Sequence, residues 1–226
     1  MSPDLRRSMS MFERNTKALS EIKFMGMEYA RAMAEKMDKT AKLRFKSFIS
    51  ELNKLNIDGK YLDVGSGTGI LATMIAENNK NVHITALDIS PEMTVIAKEN
   101  ITRKNLDSRI SLTTKDIEDS KVSDELGDYD LIYSTSTLHF WQNPVNVLST
   151  LTRLLKDNGV IIISDLRRVW WLYWVPVNHV FFNSIRTAYT TNEIREILEQ
   201  AGMVDYEIKI LPPFFEQILI IRNTKA

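Results

Sequence analysis

Apolar positions change their spacing near residue 57. Before it, Tyr29, Met33 and Met37 recur at helical intervals, and Leu43, Phe48, Leu52 and Leu55 form a second stripe, so residues 1–56 predict helices. After Asp58-Gly59, short apolar runs alternate with amphipathic stretches. The runs predict strands at Tyr61–Val64, Val82–Leu87, Ile110–Thr113, Asp130–Ser134 and the nearly all β-branched Val160–Ser164. Helices are expected between them, over Ile70–Glu77, from Ser90-Pro91 onward with Ser90 as N-cap, and from Pro144 to about Lys156, stopping before Asp157-Asn158-Gly159. Thr190 and Thr191 with Glu193 start a last helix ending at Gly202, and two strands near Tyr206–Leu211 and Gln217–Ile221 close the chain. Five repeats of strand and helix followed by a hairpin-like pair predict an α/β fold: a mainly parallel seven-stranded sheet with helices on both faces.

Neither a repeat nor a low-complexity linker divides the 226 residues, so one domain is expected. It comprises a helical cap (1–56), a core (57–165), an insertion (166–189) and a C-terminal helix with its strands (190–226). Lys and Arg balance Asp and Glu at 29 each, so no chain-wide field favours nucleic acid. Residues 1–56 carry about five more basic than acidic groups, which reads as solvated helix faces or as a docking surface. Cysteine is absent, which excludes disulfides, thiolate zinc and cysteine nucleophiles; no metal site is expected. With no signal-like leader and no long apolar run, a cytoplasmic protein without a transmembrane segment is expected.

The informative segment is Leu62-Asp63-Val64-Gly65-Ser66-Gly67-Thr68-Gly69. Gly65 and Gly67 permit a sharp turn and close approach to a ligand, and the next helix directs free N–H groups at the same space. A dinucleotide turn carries its third glycine one position later, where Ile70 stands here. Asp63, two positions before Gly65, would repel a pyrophosphate but suit the ammonium of an amino-acid ligand. The spacing favours a nucleoside joined to an amino acid over NAD.

This segment resembles the glycine motif of class I S-adenosylmethionine-dependent methyltransferases, and the likeness continues to about residue 165. It implies a Rossmann-like fold with S-adenosylmethionine as cofactor and S-adenosylhomocysteine as product. Asp63, Gly65, Ser66, Gly67 and Gly69 would then cradle the cofactor. Asp88 would hold the ribose hydroxyls, its two oxygens accepting from a vicinal diol, with Ile89 against the adenine face. Asp116, flanked by Ile117, would accept from the adenine amino group, although Glu118 and Asp119 lie close enough to confuse the alignment. Ser134, leaving the fourth strand, would pass near the reactive methyl, and Tyr29 of the N-terminal helices could close the site.

A hydroxyl or carbon-acid acceptor needs a base. His139 is a candidate, with loop packing as the plain alternative; His179 could serve from the opposite side, and His83 looks structural. The insertion carries Arg167, Arg168, Trp170, Trp171, Tyr173, Trp174, His179, Phe181 and Phe182. With Leu138, its Arg167, Trp170, Trp171 and Trp174 are candidates to line a lid over a small, apolar or aromatic methyl acceptor. Core packing, a homodimer contact or attachment to a membrane surface are the other readings of this segment. An Asn/Asp-Pro-Pro-Tyr/Phe motif of amino-directed nucleic-acid enzymes is missing, as is an Asp-Asn pair after Asp165. Leu138-His139-Phe140 and Asn143-Pro144 resemble the quinone-biosynthesis and related small-molecule branch. Two alternatives stay open: an RNA or protein methyltransferase docking through its basic helices, and a non-catalytic module that binds the cofactor.

Overall fold

The computed structural model describes residues 14, 26–170, 185–212 and 215–223. The expectations for Trp171, Tyr173, Trp174, His179, Phe181 and Phe182 lie outside them.

Seven strands form one sheet: β1 (Gly59–Val64), β2 (Val82–Asp88), β3 (Ile110–Thr114), β4 (Tyr129–Thr135), β5 (Leu155–Leu166), β6 (Tyr206–Leu211) and β7 (Glu216–Arg222). Their order is β3-β2-β1-β4-β5-β7-β6. The first five are parallel, whereas β7 pairs antiparallel with both β5 and β6. The sheet is therefore mixed, and the last strand in sequence lies inside it. The chain reverses direction of travel between β1 and β4, and in such sheets the crevice at the carboxyl ends of those strands is the place for a ligand.

Helices α1 (Met27–Arg44), α2 (Lys46–Leu55), α3 (Ile70–Asn78), α4 (Pro91–Arg103), α5 (Val122–Glu125), α6 (Pro144–Arg153) and α7 (Thr191–Gln200) surround the sheet. Successive strand residues feed opposite faces. Leu62, Ile132 and Ile161 pack with Val147, Leu151 and Leu198 of α6 and α7. Tyr61, Leu131 and Ile162 pack with Phe48, Leu71 and Ile101 of α2, α3 and α4. A strand covered on both faces must be apolar throughout, which is why the Val160–Ile163 run has no polar alternation.

Several boundaries differ from the sequence expectation. Asp157-Asn158-Gly159 does not separate helix from strand: β5 already begins at Leu155, opposite Tyr129, and the register shifts before Leu131 pairs with Val160. Asn158 adopts a left-handed φ of 62° inside this irregularity, so the turn signal is spent on a bulge. His83, expected to be structural, is exposed on β2. Helix α1 lies on α4 through a thin contact of Ala30 and Ala34 against Ile96, reinforced by the forked pair of Arg31 with Glu99 at 2.8 and 3.0 Å.

Candidate functional site

The glycine turn leaves β1 at the crevice. Its first two N–H groups, on Gly65 and Ser66, both donate to the Leu87 carbonyl at the end of β2, at 2.8 and 2.9 Å. Gly65 has a φ of 74°, and a Cβ there would stand 2.5 Å from Thr137 Cγ2, so the residue must be glycine for both backbone and contact reasons. Gly67 has a φ of 52° with open space where its Cβ would be, on the side where a ligand can approach. Gly69 caps α3 in the left-handed conformation, and its N–H returns to the Ser66 carbonyl at 2.9 Å.

Two carboxylates underlie this turn. Asp88 is 9% exposed; Oδ2 accepts from the Gly67 N–H at 2.7 Å and Oδ1 from the Ser90 N–H at 2.9 Å. Burial raises its pKa, while those backbone donors oppose the rise. Asp63 is 2% exposed and its Oδ2 has no partner among the described residues. Desolvation pushes its pKa up to about 8, and the charge of Asp88 adds to the rise. The Tyr133 hydroxyl, nearby but outside hydrogen-bonding geometry, opposes it only in part. The buried hydroxyls of Ser66 and Thr68 are likewise unpartnered. A buried carboxylate oxygen without a donor is costly, and a ligand ammonium removes that cost. Asp63, Ser66, Gly67 and Asp88 therefore have the chemistry of a socket for an amino-acid-bearing nucleoside.

The remaining sequence candidates divide. Ile89 is 44% exposed next to Asp88, and Tyr29 is exposed on α1. Asp116 is half-buried and accepts from the Glu118 N–H at 2.9 Å. Glu118 is engaged elsewhere, accepting from the N–H groups of Gln142 and Asn143. Ile117 and Leu138 are core residues, and Ser134 is fully buried, donating to the Val64 carbonyl at 2.8 Å. These three side chains hold β1, β4 and the core together.

His139 is 2% exposed and lies in a single 3₁₀ turn after β4. Its Nδ1 sits 2.6 Å from Asp165 Oδ1, and its backbone N–H donates to Asp165 Oδ2 at 2.8 Å. Arg167 reaches Thr191 Oγ1 at 3.1 Å, Arg168 is buried and paired with Glu193, and Trp170 is 66% exposed.

Two polar residues at this edge carry no signal in a linear reading. Asp165 was visible only as a strand end. Arg44, at the end of α1, donates to the Ser136 hydroxyl at 3.1 Å. Ser136 has a left-handed φ of 56° and precedes Thr137, the residue packed on Gly65. The guanidinium is thus two residues removed from the glycine turn.

A family model described as a methyltransferase domain matches residues 55–202. The chain belongs to this family. Its fold is shared with solved S-adenosylmethionine-dependent methyltransferases. A malonyl-[acyl-carrier protein] O-methyltransferase of Acetivibrio thermocellus is 27% identical over 173 residues, covering 75% of this chain and 54% of the relative. The chain thus spans about half the length of that curated relative. A methyltransferase structure from Aquifex aeolicus superposes with a TM-score of 0.70 at 18% identity, over 88% of this chain and 99% of that one. An O-methyltransferase family protein from Burkholderia thailandensis gives 0.71 at 14% identity, over 99% and 68%. Both support the fold. No helix among the described residues is long and apolar enough to cross a membrane.

Proposed function

We propose that this chain transfers a methyl group from S-adenosylmethionine to a small, apolar or aromatic acceptor. The observation that carries the reading is the unpartnered Asp63 oxygen beneath a glycine turn whose Gly67 N–H is locked to Asp88. In this reading Asp63 receives the ammonium of the cofactor, Asp88 its ribose diol, and Ile89 with Asp116 its adenine. The guanidinium of Arg44, held at Ser136, supplies the positive charge that the amino-acid carboxylate needs. Bound there, the cofactor supplies a methyl group made electrophilic by its sulfonium.

The chain's own task is then placement and exclusion of water, since in-line displacement gains most from orientation. The loop after β4 is positioned from three sides: Ser134 bonds to β1, the Ser136 N–H donates to the Ser164 carbonyl at 2.8 Å, and Asp165 grips His139. With Nδ1 engaged by Asp165, only Nε2 of His139 can take a proton from an acceptor, and the reading assigns it that duty for a hydroxyl or carbon acid. The insertion 166–189, anchored at its start by Arg168 to Glu193 and by Arg167 to Thr191, would cover the acceptor. Relatives named as malonyl-[acyl-carrier protein] O-methyltransferases act on a small acyl group, there carried on a protein.

Calorimetric titration with S-adenosylhomocysteine, with NAD as control, tests the cofactor site. Binding that falls by about 100-fold in Asp88→Ala, as expected for two lost charge-assisted hydrogen bonds, supports the reading. Binding of NAD with none of S-adenosylhomocysteine overturns it. Tritium transfer from labelled S-adenosylmethionine to fractionated extract then decides the acceptor class, since incorporation into RNA, or into protein in a form that mild base does not release as a small acyl group, contradicts a small acceptor.

A further inference from the structure

Asn100 lies outside every sequence motif, yet it is the buried polar residue through which α4 reaches the glycine turn. It is 5% exposed, and its Nδ2 donates to the Thr68 carbonyl at 2.8 Å. Its Oδ1 accepts from Arg103 on the same helix, so the amide orientation is determined by a donor on one side and an acceptor on the other. One turn earlier, Ala97 packs directly under Gly69; a Cβ on that glycine would stand 3.0 Å from the Ala97 Cβ. Thr68 itself is fully buried and its hydroxyl has no partner. Its carbonyl, bonded by Asn100, is therefore the Thr68 polar group that the protein itself secures.

The same helix begins where the ribose carboxylate ends. Ser90 caps α4 by accepting from the Met93 N–H at 3.2 Å, and its own N–H donates to Asp88. One helix thus touches both halves of the proposed cofactor socket, Asp88 through its N-cap Ser90 and the Gly67–Gly69 backbone through its third turn. The turn contains three glycines with positive φ, a backbone with many alternatives when nothing restrains it.

We propose that Asn100 is a positioning residue for cofactor binding: by holding the Thr68 carbonyl it fixes the glycine turn in the conformation that receives S-adenosylmethionine. This rests on the cofactor reading above. The physical basis is preorganisation, since a turn already ordered loses less entropy when the ligand arrives. Asn100 touches no reacting atom in this role.

The test uses Asn100→Asp, which keeps size and the acceptor for Arg103 but removes the donor, and Asn100→Leu, an apolar replacement of similar volume. Affinity for S-adenosylhomocysteine is measured by calorimetry at 15 °C, where each variant is confirmed folded by circular dichroism, alongside its Tm. Lys98→Ala, which removes only the exposed pair between this α4 residue and Asp107 beyond the end of the helix, is the control. Both Asn100 variants are expected to bind at least ~10-fold more weakly, the size of one lost buried hydrogen bond, with the control unchanged. A residue that merely stabilises the fold would lower Tm and leave the dissociation constant of folded protein unaltered; that result overturns the proposal. Should one variant fail to fold, the other decides. Failure of the unsubstituted chain to bind S-adenosylhomocysteine would remove the cofactor reading and this inference together, whereas unchanged affinity in the variants would remove this inference alone.

Discussion

Asp165 holds His139 with both carboxylate oxygens: Oδ1 lies 2.6 Å from the ring Nδ1 and Oδ2 accepts the backbone N–H at 2.8 Å. The carboxylate also accepts from the Leu166 N–H at 2.9 Å, so one side chain at the end of β5 satisfies three donors. Asp165→Ala leaves the two buried His139 donors without an acceptor and should cost about 3 kcal/mol, read as a lowered urea midpoint. His139→Ala is expected to reduce kcat by roughly 100-fold with unchanged affinity for S-adenosylhomocysteine. A kcat within twofold of the unsubstituted chain would restrict the pair to holding the loop.

Asp63 predicts a pH dependence of stability. Its pKa of about 8 in the folded chain lies above the ordinary carboxylate value near 4. The folded state therefore retains a proton that the unfolded chain releases between about pH 4 and 8. The stability linked to this group is complete below pH 4 and is lost as pH rises through 8. Urea midpoints of the ligand-free chain should fall across pH 5–8.5 more steeply than those of Asp63→Asn. S-adenosylhomocysteine should bind Asp63→Asn more weakly, because the amide cannot balance an ammonium. Parallel pH profiles for the two proteins would show that Asp63 is not the titrating group.

Arg44 is solvent-exposed by area, yet its guanidinium is surrounded closely enough that desolvation lowers its pKa, against the opposing charge of Glu216. Arg44→Gln is expected to weaken S-adenosylhomocysteine by about tenfold, as for one charged hydrogen bond. 5′-Methylthioadenosine, which lacks the carboxylate, should bind both proteins alike. Equal losses for the two ligands would place Arg44 elsewhere than at the amino-acid end.

At Gly65, alanine would combine a φ of 74° with a 2.5 Å approach to Thr137 Cγ2. Gly65→Ala should destabilise by about 2 kcal/mol and weaken cofactor binding, because relief requires moving either the turn or the loop after β4. Thr137→Ala in the same chain should recover part of both losses. Absence of any recovery would mean that backbone strain alone, and not the contact, governs the site.

Element order was legible along the chain because it rests on local spacing. The period of two or of 3.6, the N-caps at Ser90 and Thr190 and the glycine turn depend on neighbours a few residues away, and the proposed cofactor residues Asp63, Gly67 and Asp88 inherit their positions from strand ends. The bulge at Asn158, the insertion of β7 between β5 and β6, and the partners of Arg44, Asn100 and Asp165 depend on chain far away in sequence: Ser136 is 92 residues from Arg44, Thr68 is 32 from Asn100, and His139 is 26 from Asp165. A guanidinium, an amide or a carboxylate in an ordinary helix or strand reads as solvated until packing brings its partner. Burial then removes water as a competitor, and only the tertiary structure decides which donor faces which acceptor.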